Sequence, residues 1–251
     1  MENLTVVEQM GLWVAGKSFE DLSKEEIEAL KGRVLDAVGC AIGALDSTTI
    51  KSIQTMTHDL TNDGSVTMIG GGKTTPDNAA LFNGAAIRYL DYNDSYLAKG
   101  ETCHPSDNIS AVLAATEHNK GNGKDFLLGL AIAYQIQCRL SDEAPVRKYG
   151  FDHTVQEAYG AAAGAAKALG LDAKQIANAI AISGTSYNSL RVTRTGELSN
   201  WKGLAAPNTA RGAMSSALLA KYDITGPREV FEGNKGFYET IAGKFDIDWE
   251  R

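Results

Sequence analysis

The chain has little cysteine: Cys40, Cys103 and Cys138 are the only three in 251 residues. Their number is odd, their spacing is wide, and no CxxC or Cys/His metal pattern surrounds them. Neither a disulfide framework nor a zinc or iron–sulfur site is indicated, and no metal or organic cofactor is expected. Long apolar runs are also missing; none approaches the ~18 residues of a membrane span. The opening MENLTVVEQM lacks the basic region and apolar core of a secretory signal, and the arginines of a transit peptide. The expectation is a cytoplasmic protein with no membrane partner. There is no run of lysine or arginine, and the formal net charge is −7. Such a chain repels phosphate backbones, so nucleic acid is not an expected partner. A local cluster of cations in a cleft can still attract a small anion.

What is present is helical periodicity. Ser23-Lys24-Glu25-Glu26 reads as a capping box. Behind it Ile27, Leu30, Val34, Leu35, Val38 and Ile42 recur at three- and four-residue steps, as one apolar helix face. A second helix is expected from about 50 to 60. Val66-Thr67-Met68-Ile69 is short and partly β-branched, either an isolated strand or a turn into Gly70-Gly71-Gly72. Those glycines match neither GxGxxG nor GxxxxGK[ST], so a turn is favoured over a phosphate loop. Thr75-Pro76 starts another helix, with proline at its first position. Further helices are expected at about 106–119, 124–142, 152–169, 173–183 and 205–222, with an extended stretch over 187–195 and short helices over 227–242. The small residues of GAAAGAAKALG (160–170) let helix axes approach closely. Neither a repeat nor a low-complexity linker divides the chain. The reading is one all-α domain, residues 1–251, with at most one or two short strands.

Residues 91–105, DYNDSYLAKGETCHP, read as a long loop between two apolar helices. A solvated loop and a functional one are both consistent with it, and structureless loops of such length in compact domains are often functional. His104 and His153 each stand just ahead of a helix start. The helix dipole disfavours the imidazolium there, leaving a neutral base. His58 and His118 lie in polar helical contexts and read as surface residues. Lys202, beside Trp201 and an apolar run, is either an ordinary exposed lysine or a partly buried one whose pKa falls. Arg191 and Arg194 add cations just upstream. Bases, carboxylates and cations together suit proton abstraction beside a carboxylate in an anionic substrate.

Four segments, LFNGAAIRYLDYNDS, CHPSDNISAVLAA, YGFDHT ahead of an alanine-rich helix, and NWKGLAAPNTARGA, resemble the MmgE/PrpD family in order and spacing. DAVGCAIGA also resembles that family's first core helix. The resemblance runs from about residue 5 to about 245. It implies cofactor-independent chemistry on a small polycarboxylate: 2-methylcitrate dehydration first, with cis-aconitate decarboxylation or iminodisuccinate epimerisation as alternatives. Carried over motif by motif, it puts Asp91, His104, His153 and Lys202 in the site as catalytic residues. Ser95 falls where members often have threonine and, with Arg191 and Arg194, is expected to bind substrate. The NDSYLAKGETCHPSDN stretch looks more like the dehydratase branch. The resemblance further implies a homodimer, and an α+β lid domain that these 251 residues lack. A separate lid chain, or a non-catalytic helical subunit, is the corresponding expectation, with little turnover from the isolated chain.

Overall fold

The structure is a computed structural model and describes residues 4–61 and 63–249. Among these residues it is all-α in class. The helices are α1 (Val6–Gly16), α2 (Lys24–Ala44), α3 (Thr48–Leu60), α4 (Pro76–Tyr89), α5 (Ile109–His118), α6 (Gly123–Glu143), α7 (Thr154–Ala168), α8 (Ala173–Ser186) and α9 (Trp201–Lys221). Local chemistry sets their starts. Ser23, Asn122 and Asp172 accept from orphan backbone N–H groups at the heads of α2, α6 and α8, each within a capping box. Thr5 does the same for α1, a helix the sequence reading did not assign.

α7 organises the rest. Nearly every residue from Thr154 to Ala168 is buried, because α5, α6, α8 and α9 all pack against it. A helix enclosed on all sides cannot carry bulky side chains and keep its neighbours at packing distance. Glycine marks the tightest approach: a Cβ on Gly164 would lie 2.5 Å from the carbonyl oxygen of Gly129 in α6, and one on Gly160 would lie 2.7 Å from that of Ala133. α4 is buried almost as completely and lies against α2, α5 and α9.

Several sequence expectations need correction. Strands are more numerous than the one or two expected, though all are very short. β1 (Val66–Thr67) pairs antiparallel with β2 (Lys73–Thr74), and β3 (Tyr96–Ala98) with β4 (Glu101–Cys103). Segment 66–69 is therefore not isolated, and Gly70 to Gly72, all at positive φ, make the turn of its ribbon. The long loop 91–105 contains the β3–β4 hairpin. Buried Glu101 pins that hairpin, since it accepts from the Arg147 backbone N–H (2.9 Å) and pairs with the Arg147 guanidinium at 3.2 Å. Residues 187–195 form no strand. Leu190 makes a single bridge to Phe151, and a 3₁₀ turn follows over Arg191–Arg194. Past residue 227 the regular helix is one π turn, Tyr238–Ala242. Leu35 and Ile42 of the expected α2 core face are exposed; Leu30, Ala37, Cys40, Ala41 and Ala44 form the buried one. His58 is exposed as expected, and His118 is half-buried.

The Gly129–Gly164 contact makes a prediction with opposing terms. Gly164→Ala gains about 1 kcal/mol of helix propensity, but overpacking a filled core costs about 1–3 kcal/mol. The obstacle is a backbone carbonyl, which cannot yield by a rotamer change. The variant should lose stability, read as a lower urea midpoint at unchanged slope; a raised midpoint would refute the close approach.

Candidate active site

The ends of several helices converge on one polar cluster. α4 ends at Tyr89 and brings Arg88, buried to 4% exposure, to the inside. Asp91 follows at φ 57°, a left-handed conformation that aspartate tolerates better than most residues. The β3–β4 hairpin then delivers His104, which precedes a 3₁₀ turn (Pro105–Asn108) running into α5. Asp152 and His153 stand at the head of α7, Arg194 in the 3₁₀ turn, and Lys202 in the first turn of α9.

These groups form a chain of alternating charge that closes on itself through one backbone carbonyl. Lys202 Nζ lies 3.3 Å from Asp91 Oδ2, and Asp91 Oδ1 pairs with Arg88. Arg88 Nε is 3.7 Å from Asp107 Oδ1, whose other oxygen is 3.5 Å from His153 Nε2. His153 Nδ1 is 2.8 Å from Asp152 Oδ1, and Arg194 Nε donates to Asp152 Oδ2 at 2.7 Å. Arg194 Nη1 closes the circuit on the Lys202 carbonyl oxygen at 3.2 Å. Asn93 braces it from within, accepting from Arg88 and donating to Ser106 Oγ and Asp107.

The two histidine rings meet edge to face, with centroids 5.3 Å apart. Their surroundings drive them in opposite directions. Burial pushes the His104 imidazole below its ordinary value; the nearby Arg88 and His153 charges add to this, and Asp107 only partly opposes it. Burial also penalises the His153 imidazolium, but contacts with Asp107 and Asp152 outweigh it, and its pKa rises. The sequence reading gave both histidines a neutral ring from the helix dipole. The direction agrees for His104 and is reversed for His153, because two carboxylates at contact distance exceed a dipole effect of about 1 kcal/mol.

The structure thus brings Asp91, His104, His153, Lys202 and Arg194 together. Ser95 is exposed, with its Oγ 3.3 Å from His104 Nδ1. Arg191 is not drawn in: its backbone N–H bonds to Gly150, and its side chain makes no contact with the circuit among the described residues. Sequence reasoning missed Arg88, Asp107, Asp152 and Glu157. A signal existed for Arg88 and Glu157, since each is a charge on a helix rich in alanine and other apolar or small residues, and such a helix is largely buried. Glu157, one turn after His153, is fully buried, and neither carboxylate oxygen has a partner among the described residues. Burial first, then the Asp107 and Asp152 charges, raise its pKa well above normal, so it is held neutral.

A cavity of about 170 Å³ opens beside Arg88, Asp91 and Lys202, bounded by Tyr89, Asn200 and Leu204. A groove of about 400 Å³ runs along α1 and another of about 350 Å³ lies between α2 and α6, and no member of the charged circuit lines either. Among the described residues, no three His, Cys, Asp or Glu side chains are grouped to hold a metal, and no helix is long and apolar enough to cross a membrane.

Glu157 has a measurable consequence. Its carboxyl has an ordinary value of 4.5, and its folded value is raised. The stability it contributes is therefore present below about pH 4.5 and is lost as pH rises toward the folded value. Glu157→Gln, which cannot ionise, should gain stability relative to the parent between pH 4 and pH 7 in denaturant unfolding. The same difference at both pH values would mean that Glu157 titrates normally.

Comparison with known proteins shows the family. The MmgE/PrpD N-terminal domain matches residues 8–250. The chain is 29% identical over 239 residues to a 2-methylcitrate dehydratase of Salmonella typhimurium, covering 88% of this chain and 49% of the relative. It is 32% identical over 228 residues to a probable 2-methylcitrate dehydratase of Saccharomyces cerevisiae, covering 82% and 43%. A cis-aconitate decarboxylase of Mus musculus is 25% identical over 244 residues, covering 93% and 49%. The chain spans about half the length of the curated relatives it matches. With its family-model match, its helical architecture and its paired histidines at two helix starts, the chain belongs to the MmgE/PrpD family.

Proposed function

We propose that this chain carries the helical half of a cofactor-independent hydro-lyase that dehydrates 2-methylcitrate, or a related tricarboxylate, to 2-methyl-cis-aconitate. The observation that carries the reading is the histidine pair: two rings in contact, whose surroundings push one pKa down and the other up. Pairs of titratable groups pushed apart in this way make an acid and a base available at one pH. His104, the less buried ring, takes the proton beside a substrate carboxylate. The carbon–oxygen bond then breaks, and the hydroxyl leaves as water with a proton from His153. That proton sits on Nε2, which lies 3.5 Å from Asp107 Oδ2 and makes no hydrogen bond among the described residues. Lys202 and Arg194 hold the carboxylate as negative charge builds, Asp91 orients Lys202, and Ser95 contributes to binding.

Support for the dehydratase branch comes from the names of the bacterial and yeast relatives. A decarboxylase is the second reading, favoured by the mouse relative; an epimerase shares the same first proton transfer. The cavity beside Lys202 is smaller than the ~300 Å³ at which small-molecule pockets usually begin. Exposed apolar side chains adjoin the site residues in sequence: Tyr92 follows Asp91, Val192 precedes Arg194, and Leu198 and Trp201 precede Lys202. Exposed apolar surface of this kind marks a partner, so a lid, in the same protein or as a separate chain, completes the site in this proposal. A purely structural helical subunit is the alternative from outside enzymology. A cytoplasmic location completes the reading.

A homodimer belongs to the proposal as well, on different grounds from those in the sequence. The small residues of α7 face neighbours within the protomer. α2, by contrast, exposes Leu35 and Ile42 one heptad apart, with Gly32 and Gly39 on the same stripe. A Cβ on either glycine would meet nothing within 4 Å. Interior helix glycines cost about 1 kcal/mol each, and no neighbour within this protomer requires them; a second helix approaching closely would. Light scattering at micromolar concentration should give a dimer mass, and Leu35→Asp a monomer. A monomeric parent protein ends this part of the proposal.

With the lid half supplied, 2-methylcitrate should lose water without releasing carbon dioxide, and His104→Ala or Lys202→Ala should lower the rate by ~10²–10⁴. Carbon dioxide from cis-aconitate, with no dehydration, transfers the chain to the decarboxylase branch. The pH profile of kcat/KM should be a broad bell. Its acid limb falls below the ordinary histidine value, from His104, and its alkaline limb above it, from His153. Asp152→Asn removes an anion that holds His153 protonated, so the alkaline limb should move to lower pH while the acid limb stays.

A further inference from the structure

We propose that Asp94 and Tyr134 are positioning residues that fix the tautomer of His104, leaving its Nε2 as the basic nitrogen. This rests on the proposed role of His104 as a base, and it names what the base needs in order to act.

A neutral imidazole has one donor and one acceptor nitrogen, and the partner of one decides the role of the other. His104 Nδ1 lies 2.7 Å from the carbonyl oxygen of Asp94. A carbonyl oxygen can only accept, so Nδ1 carries the hydrogen. Nε2, which makes no hydrogen bond among the described residues, keeps its lone pair. In water the opposite tautomer, with hydrogen on Nε2, is the commoner one for histidine. The fold must therefore hold the Asp94 carbonyl in place to invert that preference.

The Asp94 side chain provides the hold. Its Oδ1 accepts from the Ser106 backbone N–H at 2.9 Å, tying it to the 3₁₀ turn that His104 precedes. Its Oδ2 accepts from the Tyr134 hydroxyl at 2.9 Å, tying it to the middle of α6. Burial, and then the Asp94 charge, raise the Tyr134 pKa, so the hydroxyl keeps the hydrogen that it donates to the carboxylate. One residue thus receives three hydrogen bonds from three places: the imidazole, the head of the α5 turn, and a rigid helix. Ser95 Oγ, farther from Nδ1 at 3.3 Å, can share the same hydrogen but cannot replace a carbonyl as a fixed acceptor, because a hydroxyl rotates between donating and accepting.

The tautomer can be read directly, without turnover, by long-range proton–nitrogen NMR of the ¹⁵N-labelled chain at a pH where His104 is neutral. The parent should show the Nδ1–H form in excess. Tyr134→Phe and Asp94→Ala should each shift the ratio toward Nε2–H by about tenfold, the factor that one net hydrogen bond is worth. Tyr96→Phe is the control. It removes a hydroxyl that links the same hairpin to α6 through Asp142, so general loosening of the hairpin would move the ratio equally. No change in the control supports the clamp. An Nε2–H tautomer in the parent, an unchanged ratio in both Asp94 and Tyr134 variants, or an equal shift in Tyr96→Phe overturns it. Because no substrate is involved, the clamp can fail while the dehydratase reading survives, and the reverse.

Discussion

The structure depends on burying a circuit of charge. Arg88, Asp107, Asp152 and His153 are each less than 5% exposed, and taking such groups out of water costs several kcal/mol per ion unless every one meets an opposite charge. Alternation around the circuit supplies that, but only while the elements bearing these groups keep their separations. Removing one member leaves a buried neighbour uncompensated, an effect of about 3–5 kcal/mol. Such an arrangement adds little net stability. What it does is hold charged groups at defined positions, the property a site for an anionic substrate requires.

The tight helical packing follows from this need. Arg88 and Lys202 come from the facing helices α4 and α9, and His153 from the head of α7, which packs on α9. Alanine and glycine along α7 bring the helix axes close enough for short side chains and guanidinium groups to span the gaps. Close-packed backbones also resist shear, so the distances in the circuit are set by rigid elements rather than by loops. The hairpin β3–β4 is the exception, and it is anchored by Glu101 to Arg147 at one side and, through Tyr96, to Asp142 at the other.

Protonation then differs between adjacent rings for a purely local reason. His153 sits between two carboxylates, whereas His104 has a carbonyl on one nitrogen and cations nearby. Glu157 experiences the same two carboxylates as His153 and responds in the opposite sense, since like charges keep a carboxyl neutral where they keep an imidazole charged. In the proposed chemistry these settings exist before substrate arrives.

By itself the sequence determined the helices and suggested candidate site residues. Capping chemistry and three- to four-residue periodicity are local, so α2 to α9 could be read within a few residues of their observed ends. Asp91, His104, His153 and Lys202 could be named from four motifs. Two kinds of feature could not be read. Short ribbons such as β3–β4 have no periodicity to detect over three residues, and their pairing depends on what Glu101 and Tyr96 touch elsewhere. Protonation states were the other. Asp107 and Asp152 lie inside the quoted motifs, yet nothing local says that both would face one imidazole from segments 45 residues apart. Only the tertiary structure decided that the His153 and Glu157 pKa values rise and that the Asp94 carbonyl meets His104 Nδ1. Each of these is a balance between burial and partners, and both are properties of the packed chain rather than of any stretch of it.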